Sequence, residues 1–365
     1  MNNADQGPDL VWVRHLAIND LRNITEVAVD LHPGLNIFRG QNAQGKTSLL
    51  EAVGVVARGR SFRTDDSPSL IRHGAAELRA RAEAGEDGRF SALEVQLQPG
   101  RRLFRVDGRD VMSREYQGRL EVVVYSTDRL RVVHGPMRER RQFLDRSAGA
   151  LWPAYRADAR AFDRVLRQRN AALQENASDL SVWTERFVET GARLRSRRAE
   201  YAEHLSKALR KGFSPAGEIY EVLTLPALPT SADAARGALA EELGPLLPRE
   251  RAAGRSLAGP HRDKVELLLN GRDAAHEASS GQARSLLLAL VLASLDTYRE
   301  ETGRTAVALL DDLDSELDHE RTHALCTDVA ARAQTLVTSA HPGWAESLRS
   351  AGQLFHVSAG KVYPA

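Results

Sequence analysis

The fold of this chain is decided by the stretch Gly40-Gln41-Asn42-Ala43-Gln44-Gly45-Lys46-Thr47, which matches the phosphate-binding pattern GxxxxGKT without a mismatch. A short apolar run, 35–38, precedes this stretch, and a run with helical character begins directly after it at Ser48. A strand, a glycine-rich loop and a helix in this order point backbone N–H groups at a phosphate. The sequence therefore predicts an α/β fold around a phosphate-binding loop (the P-loop, residues 40–47).

The fixed positions of the P-loop have separate chemical roles. The glycines permit the turn, Lys46 is expected to reach the β and γ phosphates of ATP, and Thr47 is expected to bind Mg²⁺. Only five of the 50 basic residues are lysines, so a lysine at this place is informative. The residues predicted to contact the nucleotide here are Gly40, Gln41, Asn42, Ala43, Gln44, Gly45, Lys46, Thr47 and Ser48.

A P-loop requires a second strand that carries carboxylates. Residues 305–312 read Thr-Ala-Val-Ala-Leu-Leu-Asp-Asp, an apolar run that ends in two acids. This pattern predicts Asp311 as a ligand of Mg²⁺, together with Thr47, and Asp312 as the group that polarises the attacking water. Asp312 and Lys46 are therefore the predicted catalytic residues.

A third segment, Ala278-Ser279-Ser280-Gly281-Gln282, precedes a helix predicted over 285–295. Serine and glycine at a helix N-terminus present hydroxyl and amide donors to phosphate oxygens. Ser279, Ser280, Gly281 and Gln282 (the signature segment) are therefore candidate nucleotide contacts. The alternative is a flexible loop with a serine cap.

Length and composition set outer limits. With 365 residues and 42% hydrophobic content, the chain predicts two domains, or one large domain with an insertion. No apolar run approaches the roughly 20 residues of a membrane-spanning helix, and the first ten residues do not resemble a signal peptide. A cytoplasmic protein without a membrane partner is expected, and the single cysteine, Cys326, is interpreted as a buried structural thiol.

The net charge of +1 hides an uneven distribution. Residues 129–211 hold 19 basic and 10 acidic side chains, a net of +9, which leaves −8 for the remainder. An acidic partner such as a nucleic-acid backbone explains this region. An arginine-rich, solvated helical surface explains it equally well, and charge alone does not separate the two.

Periodicity divides the chain into regions. Alternating apolar residues and turn signals at Pro99-Gly100 and Asp107-Gly108 predict strands up to about residue 128. Helical spacing over 153–211, interrupted by a polar turn at 174–179, predicts an antiparallel helical hairpin. A helix is predicted over 232–243, and strand and helix alternate again after about residue 255. The predicted domains are therefore a head formed by 1–128 and 255–365, and an inserted helical lobe formed by 129–254.

The signature segment, the acidic strand and Ser315-Glu316-Leu317-Asp318 together resemble the motif series of ATP-binding-cassette (ABC) ATPases. About 240 residues separate Gly40 from Ser279, more than in transporter cassettes, and the chain over nearly all its length resembles the RecF family of bacterial recombination mediators. Further residues that carry this resemblance are Leu21-Arg22-Asn23, the run from Thr47 to Ala52, Ser61-Phe62-Arg63-Thr64, Arg140-Arg141-Gln142-Phe143-Leu144-Asp145 and Gly259-Pro260-His261-Arg262-Asp263.

The resemblance implies an ABC-type P-loop ATPase head with a mixed sheet and an inserted α-helical arm. It also implies an ATP-dependent homodimer in which each nucleotide lies between the P-loop of one subunit and the signature serine of the other. Further implications are binding of double-stranded DNA and of junctions between single and double strands at gaps, and help in loading the RecA recombinase with the partners RecO and RecR.

Three positions depart from the related patterns. Lys264 follows Asp263 where the family usually has a second Asp, and Asp312 stands where transporters usually have Glu. Because an aspartate holds its carboxylate further from the water, we expect slow ATP hydrolysis that works as a switch. The resemblance implies that this hydrolysis depends on DNA. In transporter cassettes a switch histidine directly follows the strand that corresponds to 335–338. Here Ser339 occupies that place and His341 comes two residues later. His341 could therefore contact the γ-phosphate or be a loop residue without a role. His261 could equally serve in a structural turn or contact DNA or nucleotide.

Two other functions share these motifs. An ATPase subunit of a transporter would carry the same P-loop, but the widely separated motifs and the basic insertion argue against it. An architectural head related to structural-maintenance-of-chromosomes (SMC) proteins is the second alternative, and the absence of a long coiled coil from the sequence argues against that.

Overall fold

The computed structural model describes residues 10–86, 88–214, 217–313 and 319–365. It divides into two compact units. Unit 1 comprises the described residues of Met1–Arg129 and Tyr298–Ala365, and unit 2 comprises those of Leu130–Thr297.

The described residues form β-strands, α-helices and short 3₁₀ turns. In chain order, the strands are β1 (Trp12–Leu21), β2 (Ile24–Asp30), β3 (Leu35–Arg39), β4 (Leu78–Glu86), β5 (Arg89–Gln98), β6 (Arg101–Val106), β7 (Arg109–Val111), β8 (Val122–Tyr125), β9 (Tyr220–Leu225), β10 (Lys264–Leu269), β11 (Arg272–Asp273), β12 (Val307–Leu310), β13 (Thr335–Ser339), β14 (Gly352–Ser358) and β15 (Lys361–Pro364). The α-helices are α1 (Lys46–Arg58), α2 (Ser113–Tyr116), α3 (Arg131–His134), α4 (Met137–Leu151), α5 (Pro153–Gln174), α6 (Leu180–Lys211), α7 (Ala232–Leu243), α8 (Leu247–Ala253), α9 (Ala274–Glu277), α10 (Ser280–Thr302), α11 (His319–Ala330) and α12 (Pro342–Ser347). The 3₁₀ turns lie at Pro68–Leu70, Thr127–Leu130, Gly244–Leu246 and Arg349–Ala351.

One sheet of unit 1 is antiparallel, in the order β2-β1-β4-β5-β6-β7. In β4, buried apolar residues alternate with charged residues, as expected for a sheet with one face in the core. The turn signals predicted at Pro99-Gly100 and Asp107-Gly108 are confirmed, because they join β5 to β6 and β6 to β7. Gly100, Asp107 and Gly108 all have positive φ, which short hairpin turns require.

The second sheet of unit 1 positions the candidate site. Its order is β15-β14-β3-β13-β12-β8; β15 runs antiparallel to β14, and the other neighbouring strands are parallel. The predicted mixed α/β sheet is therefore confirmed. Because parallel strands end at the same edge, the P-loop after β3 and the two acids after β12 lie at one edge, with the end of β13 between them.

Unit 2 contains the predicted helical hairpin, formed by α5 and α6. Four aromatic residues of the hairpin are buried, namely Tyr155, Phe162, Phe187 and Tyr201, and Trp183 is half-buried. The predicted helix over 232–243 is confirmed as α7. The aromatic pattern therefore belongs to a helical core rather than to a binding surface.

The boundary between the units differs from the one predicted at residues 254 and 255. Residues 255–297 lie in unit 2, because β10 forms an antiparallel pair with β9, from Lys264↔Leu225 to Leu269↔Tyr220. The helical periodicity that guided the prediction does not report on pairing between distant strands. As a consequence, the signature segment belongs to unit 2 and the P-loop to unit 1.

Part of the positive charge over 129–211 lies inside unit 2. Arg140, Arg169, Arg195 and Arg198 are buried, and all four contact carboxylates. This charge excess therefore overstates the charge available at the surface.

Cys326 is fully buried, as expected. Within the described ranges, no helix is both long and apolar enough to cross a membrane.

Candidate nucleotide-binding site

The P-loop connects the end of β3 to the start of α1, as the sequence predicts. Gly45 caps the N-terminus of α1 with φ of 109°, a left-handed conformation that favours glycine. A Cβ atom at Gly40 would lie 2.3 Å from the carbonyl oxygen of Val357 in β14. Both glycines are therefore required by the fold of the loop itself.

Lys46 is buried inside the loop, with 5% of its surface exposed. Its Nζ donates hydrogen bonds to the carbonyl oxygens of Gly40 (2.8 Å) and Gln41 (3.0 Å). Among the described residues, no carboxylate forms an ion pair with it within 4 Å. A buried ammonium group without a counter-charge is costly, so the loop holds a cation that is suited to an anionic ligand.

Thr47 and Asp311 meet at the edge of the parallel sheet, although 264 positions separate them in the chain. The Thr47 hydroxyl donates to Oδ1 of Asp311 at 3.0 Å, and the Thr338 hydroxyl donates to the same oxygen at 2.8 Å. Burial raises the pKa of Asp311 to about 6, assisted by the neighbouring charge of Asp312, while the two hydroxyl groups lower it.

This donor set fits Mg²⁺. The hydroxyl of Thr47 and the carboxylate of Asp311 are hard oxygen ligands, which Mg²⁺ prefers. No group of three or more His, Cys, Asp or Glu side chains that could hold a metal is found in the part of the chain that the structure describes. Mg²⁺ commonly takes one or two protein carboxylates and completes its shell with phosphate oxygens and water.

Asp312 follows in a left-handed conformation, with φ of 51°. Its backbone N–H donates to the Thr338 hydroxyl at 2.8 Å, so Thr338 fixes the conformation of both acids. Sequence reasoning did not assign Thr338 a role. The available signal was a hydroxyl residue at the end of an apolar strand that neighbours both the P-loop strand and the acidic strand.

The signature segment forms the N-terminus of α10. Ser279 and Gln282 make a reciprocal capping box, in which the Ser279 hydroxyl accepts from the Gln282 N–H at 3.3 Å and the Gln282 side chain accepts from the Ser279 N–H at 3.0 Å. Ser279, Ser280 and Gly281 are exposed, and a Cβ at Gly281 would meet nothing within 4 Å. The segment is therefore an ordered helix cap on the surface of unit 2.

The remaining sequence-derived candidates have varied surroundings. His341 is exposed, and its backbone N–H donates to the Ser339 hydroxyl at 3.0 Å. His261 packs against the rings of Phe162 and Phe187, with each ring centroid 6.1 Å away, which favours its structural interpretation. Lys264 is exposed at the start of β10. The motif predicted at 315–318 lies outside the described residues.

These elements define the class of the protein as an ABC-type P-loop ATPase head with an additional helical unit. The family model described as RecF/RecN/SMC N terminal domain matches residues 12–362. Among curated proteins named DNA replication and repair protein RecF, that of Symbiobacterium thermophilum is 36% identical over 90% of this chain and 91% of its own length. That of Anaeromyxobacter sp. is 35% identical over 96% of this chain and 98% of its own.

Solved structures agree with this class. The recombination mediator protein RecF with ATPrS has a TM-score of 0.87 and 26% identity, covering 98% of this chain and 99% of that one. The SMC head domain of Pyrococcus furiosus, at 14% identity, has a TM-score of 0.58 over 98% of this chain and 96% of that one, a likeness of fold alone. The chain belongs to the RecF family, within the wider group of RecF, RecN and SMC proteins.

Proposed function

We propose that this protein is an ATP-dependent DNA-binding protein of recombinational repair and replication, in which slow ATP hydrolysis acts as a switch. The observation that carries the proposal is the convergence of buried Lys46, Thr47 and Asp311 at one sheet edge. These residues supply a cation for phosphate and two oxygen ligands for a metal. Relatives named as DNA replication and repair proteins provide the biological setting.

In this proposal the P-loop residues bind and orient ATP. The amides of the loop and the N-terminus of α1 hold the phosphate chain, and Lys46 supplies positive charge to the β and γ phosphates. Thr47 and Asp311 hold Mg²⁺, which when bound neutralises charge on the phosphate oxygens. Ser48, at the start of α1, lies beside the phosphate chain. The oxygen ligands of the metal are thus already adjacent in the fold.

Asp312 is proposed to accept a proton from, or orient, the attacking water. Its side chain is one methylene shorter than that of glutamate, and its backbone is fixed by Thr338. A short side chain on a fixed backbone has little freedom to approach the water, which is consistent with slow turnover.

We propose that ATP drives formation of a homodimer through the signature segment. Ser279, Ser280 and Gly281 are exposed donors on a preformed helix cap. The open space around Gly281 gives this glycine no packing role within its own subunit. A close approach by the phosphate chain of ATP bound to a second subunit would explain why the smallest residue stands there.

We propose that an exposed basic face of α5, in the helical hairpin, binds DNA. The DNA is double-stranded, or a junction between single and double strands at a gap. Arg160, Arg164 and Arg167 are exposed on α5 at positions i, i+4 and i+7, which fall on one face of the helix. None of the three makes an ion pair within 4 Å in the described part of the chain. Arginines without an ion-pair partner that lie in a row can contact the phosphates of a DNA backbone and do not read its base sequence.

Cooperation with RecO and RecR in loading RecA, and a location in the cytoplasm, belong to the proposal by similarity. A solved relative with this fold is named as part of the RecFOR pathway.

The central test is size measurement with and without ATP and Mg²⁺ by analytical ultracentrifugation. The wild type is expected to dimerise with ATP, and Lys46→Met is expected to lose ATP binding and dimerisation. Ser279→Arg should keep ATP binding as a monomer but fail to dimerise. An Lys46→Met variant that still dimerises with ATP would refute the phosphate assignment, and loss of ATP binding by Ser279→Arg would refute the two-subunit site.

The DNA proposal is tested with a triple variant, Arg160→Gln, Arg164→Gln and Arg167→Gln. We expect at least about 10-fold weaker binding to a gapped duplex at low salt and a shallower salt dependence, since three phosphate contacts are removed. The matched control neutralises Arg14, Arg79 and Arg349, which are also exposed but pair with Glu83, Glu77 and Glu346. Equal effects of the two triple variants would show that only net charge matters.

A further inference from the structure

Two hairpin turns of unit 1 contact the P-loop on residues 43–45. The first is the turn between β1 and β2, which carries Asn23. The second is the turn between β14 and β15, which carries Ala359 and Gly360. Neither turn belongs to the phosphate-binding pattern, and both lie outside the residues proposed to contact ATP.

Asn23 makes hydrogen bonds from both ends of its side-chain amide, one to the P-loop and one to the first turn of α1. Its Nδ2 donates to the carbonyl oxygen of Ala43 at 3.1 Å, and its Oδ1 accepts from the Ser48 hydroxyl at 3.2 Å. One side chain therefore connects the loop to the first turn of α1.

The second turn holds the next residue of the loop. The N–H of Gly360 donates to the backbone carbonyl of Gln44 at 2.9 Å, and the N–H of Ala359 donates to the Gln44 side chain at 2.7 Å. Gln44 thus has both its backbone and its side chain fixed by the carboxyl-terminal hairpin.

The packing between the two turns and the loop leaves no room for larger residues. A Cβ at Gly45 would lie 3.3 Å from the side chain of Asn23 and 3.5 Å from Cα of Gly360. A Cβ at Gly360 would lie 2.5 Å from the carbonyl oxygen of Asn23. The three segments therefore meet at close-contact distances.

The loop residue that Asn23 holds is in an unfavourable conformation. Ala43 has φ of 64°, in the left-handed region that residues with a Cβ rarely adopt. This conformation sets the direction of the peptide that follows it, and hence of amide donors in the P-loop. A local hydrogen bond to the Ala43 carbonyl is a direct way to keep this peptide from turning over.

We propose that Asn23, Ala359 and Gly360 form a clamp that holds the P-loop in its phosphate-binding conformation, which makes Asn23 a positioning residue for the diphosphate part of the nucleotide. This inference rests on the proposed function, because it assigns a support to the same nucleotide site. The clamp acts on the loop amides and not on the metal ligands, so it affects ATP and ADP alike.

The test replaces Asn23 with Leu, which has similar size but neither donor nor acceptor. Calorimetric titration with ADP and with ATP is expected to show about 10-fold weaker binding of both nucleotides, since one hydrogen bond to the loop and one to the first turn of α1 are lost. Thermal unfolding of the nucleotide-free protein should shift by only a few degrees. The matched control is Asn19→Leu, which changes an exposed asparagine of β1 away from the P-loop, and it should bind like the wild type.

A second variant separates positioning from general structural damage. Glycine adopts positive φ without the penalty of alanine, so Ala43→Gly added to Asn23→Leu should recover several-fold of the lost affinity. Hydrogen exchange of the nucleotide-free proteins gives a readout that does not depend on binding. Asn23→Leu is expected to speed amide exchange at residues 43–46 about 10-fold, with little change elsewhere in unit 1.

The outcomes distinguish the clamp from the nucleotide site itself. If the wild type binds neither nucleotide, the proposed function fails. If the wild type binds and Lys46→Met does not, but Asn23→Leu binds and exchanges like the wild type, the clamp alone is overturned. A weakened Asn23→Leu that Ala43→Gly does not improve also overturns it, because the loss would then not arise from the Ala43 conformation.

Discussion

The core of unit 2 and the P-loop edge of unit 1 differ in how buried charge is met. In unit 2, Arg169 pairs with Glu250 at 2.6 Å, and both side chains are almost fully buried. Arg195 likewise pairs with buried Asp263. In unit 1, Lys46 and Asp311 are also buried, yet within the described ranges neither makes an ion pair within 4 Å with a side chain of opposite charge.

The difference indicates which buried charges maintain the fold and which serve a ligand. A buried ion pair has its counter-charge supplied by the chain, so removing one partner damages the fold. A buried charge that is met only by carbonyl or hydroxyl groups is costly to the fold but available to an external group of opposite charge. Lys46 suits a phosphate in this sense, and Asp311 suits a metal ion.

The sharpest way to break this comparison is to remove one cation from each unit. Arg169→Leu should destabilise the protein by about 3–5 kcal/mol, because Glu250 remains buried without its partner. Lys46→Leu should change stability by about 1 kcal/mol or less while it abolishes nucleotide binding. Denaturant unfolding measures both, and the Arg169→Leu, Glu250→Leu double variant should recover much of the loss. Similar destabilisation by the two single variants would contradict the distinction.

A second experiment uses His261, a half-buried histidine of unit 2. Burial lowers the pKa of His261 to about 4, and the charges of Arg262 and Arg141 act in the same direction, against Asp263 and the Ser256 carbonyl. The folded state therefore favours neutral imidazole, and its contribution to stability is present above pH 6.5 and lost as the pH falls towards 4. Between about pH 7.5 and 4.5 we expect the wild type to lose about 2–3 kcal/mol more than His261→Phe, measured by unfolding at both values. Parallel losses would place the histidine outside the aromatic core.

A third experiment tests whether the buried carboxylate of Asp311 lowers the stability of the fold when no metal ion is bound. Since burial raises its pKa from 3.8 to about 6, the ionised carboxylate that predominates at neutral pH is less favourable in the nucleotide-free fold than in the unfolded chain. Asp311→Asn should therefore be more stable by about 2 kcal/mol at about pH 7.5 in buffer with a chelator. The same variant should lose the Mg²⁺ dependence of ATP binding, as followed by calorimetry. A less stable Asp311→Asn would indicate a structural carboxylate instead.

The smallest expected effect concerns the signature segment. Ser279→Ala removes the capping bond of α10 and should cost about 1 kcal/mol of stability. Ser280→Ala is the control, because the neighbouring serine lies outside the capping box formed by Ser279 and Gln282. Thermal unfolding compares the two, and equal melting temperatures would show that the capping box does not stabilise the helix.

Much of unit 1 could be read from local pattern. The P-loop, the acidic strand and the helix after the loop are each set by a short run of residues, and the structure places them as predicted. The hairpin of unit 2 follows in the same way from helical spacing over many residues. These features are local because a helix or a glycine-rich turn is specified by neighbours in the chain.

Only the tertiary structure decided the features that depend on distant pairing. Because β9 pairs with β10, unit 2 extends to residue 297, and no local periodicity in the sequence indicates that these two strands pair. Thr338 acquired its place because β13 lies between the P-loop strand and the acidic strand. Composition showed an arginine excess, but only packing separated the buried, paired Arg169 from the exposed Arg164, because burial depends on which side chains distant segments bring together.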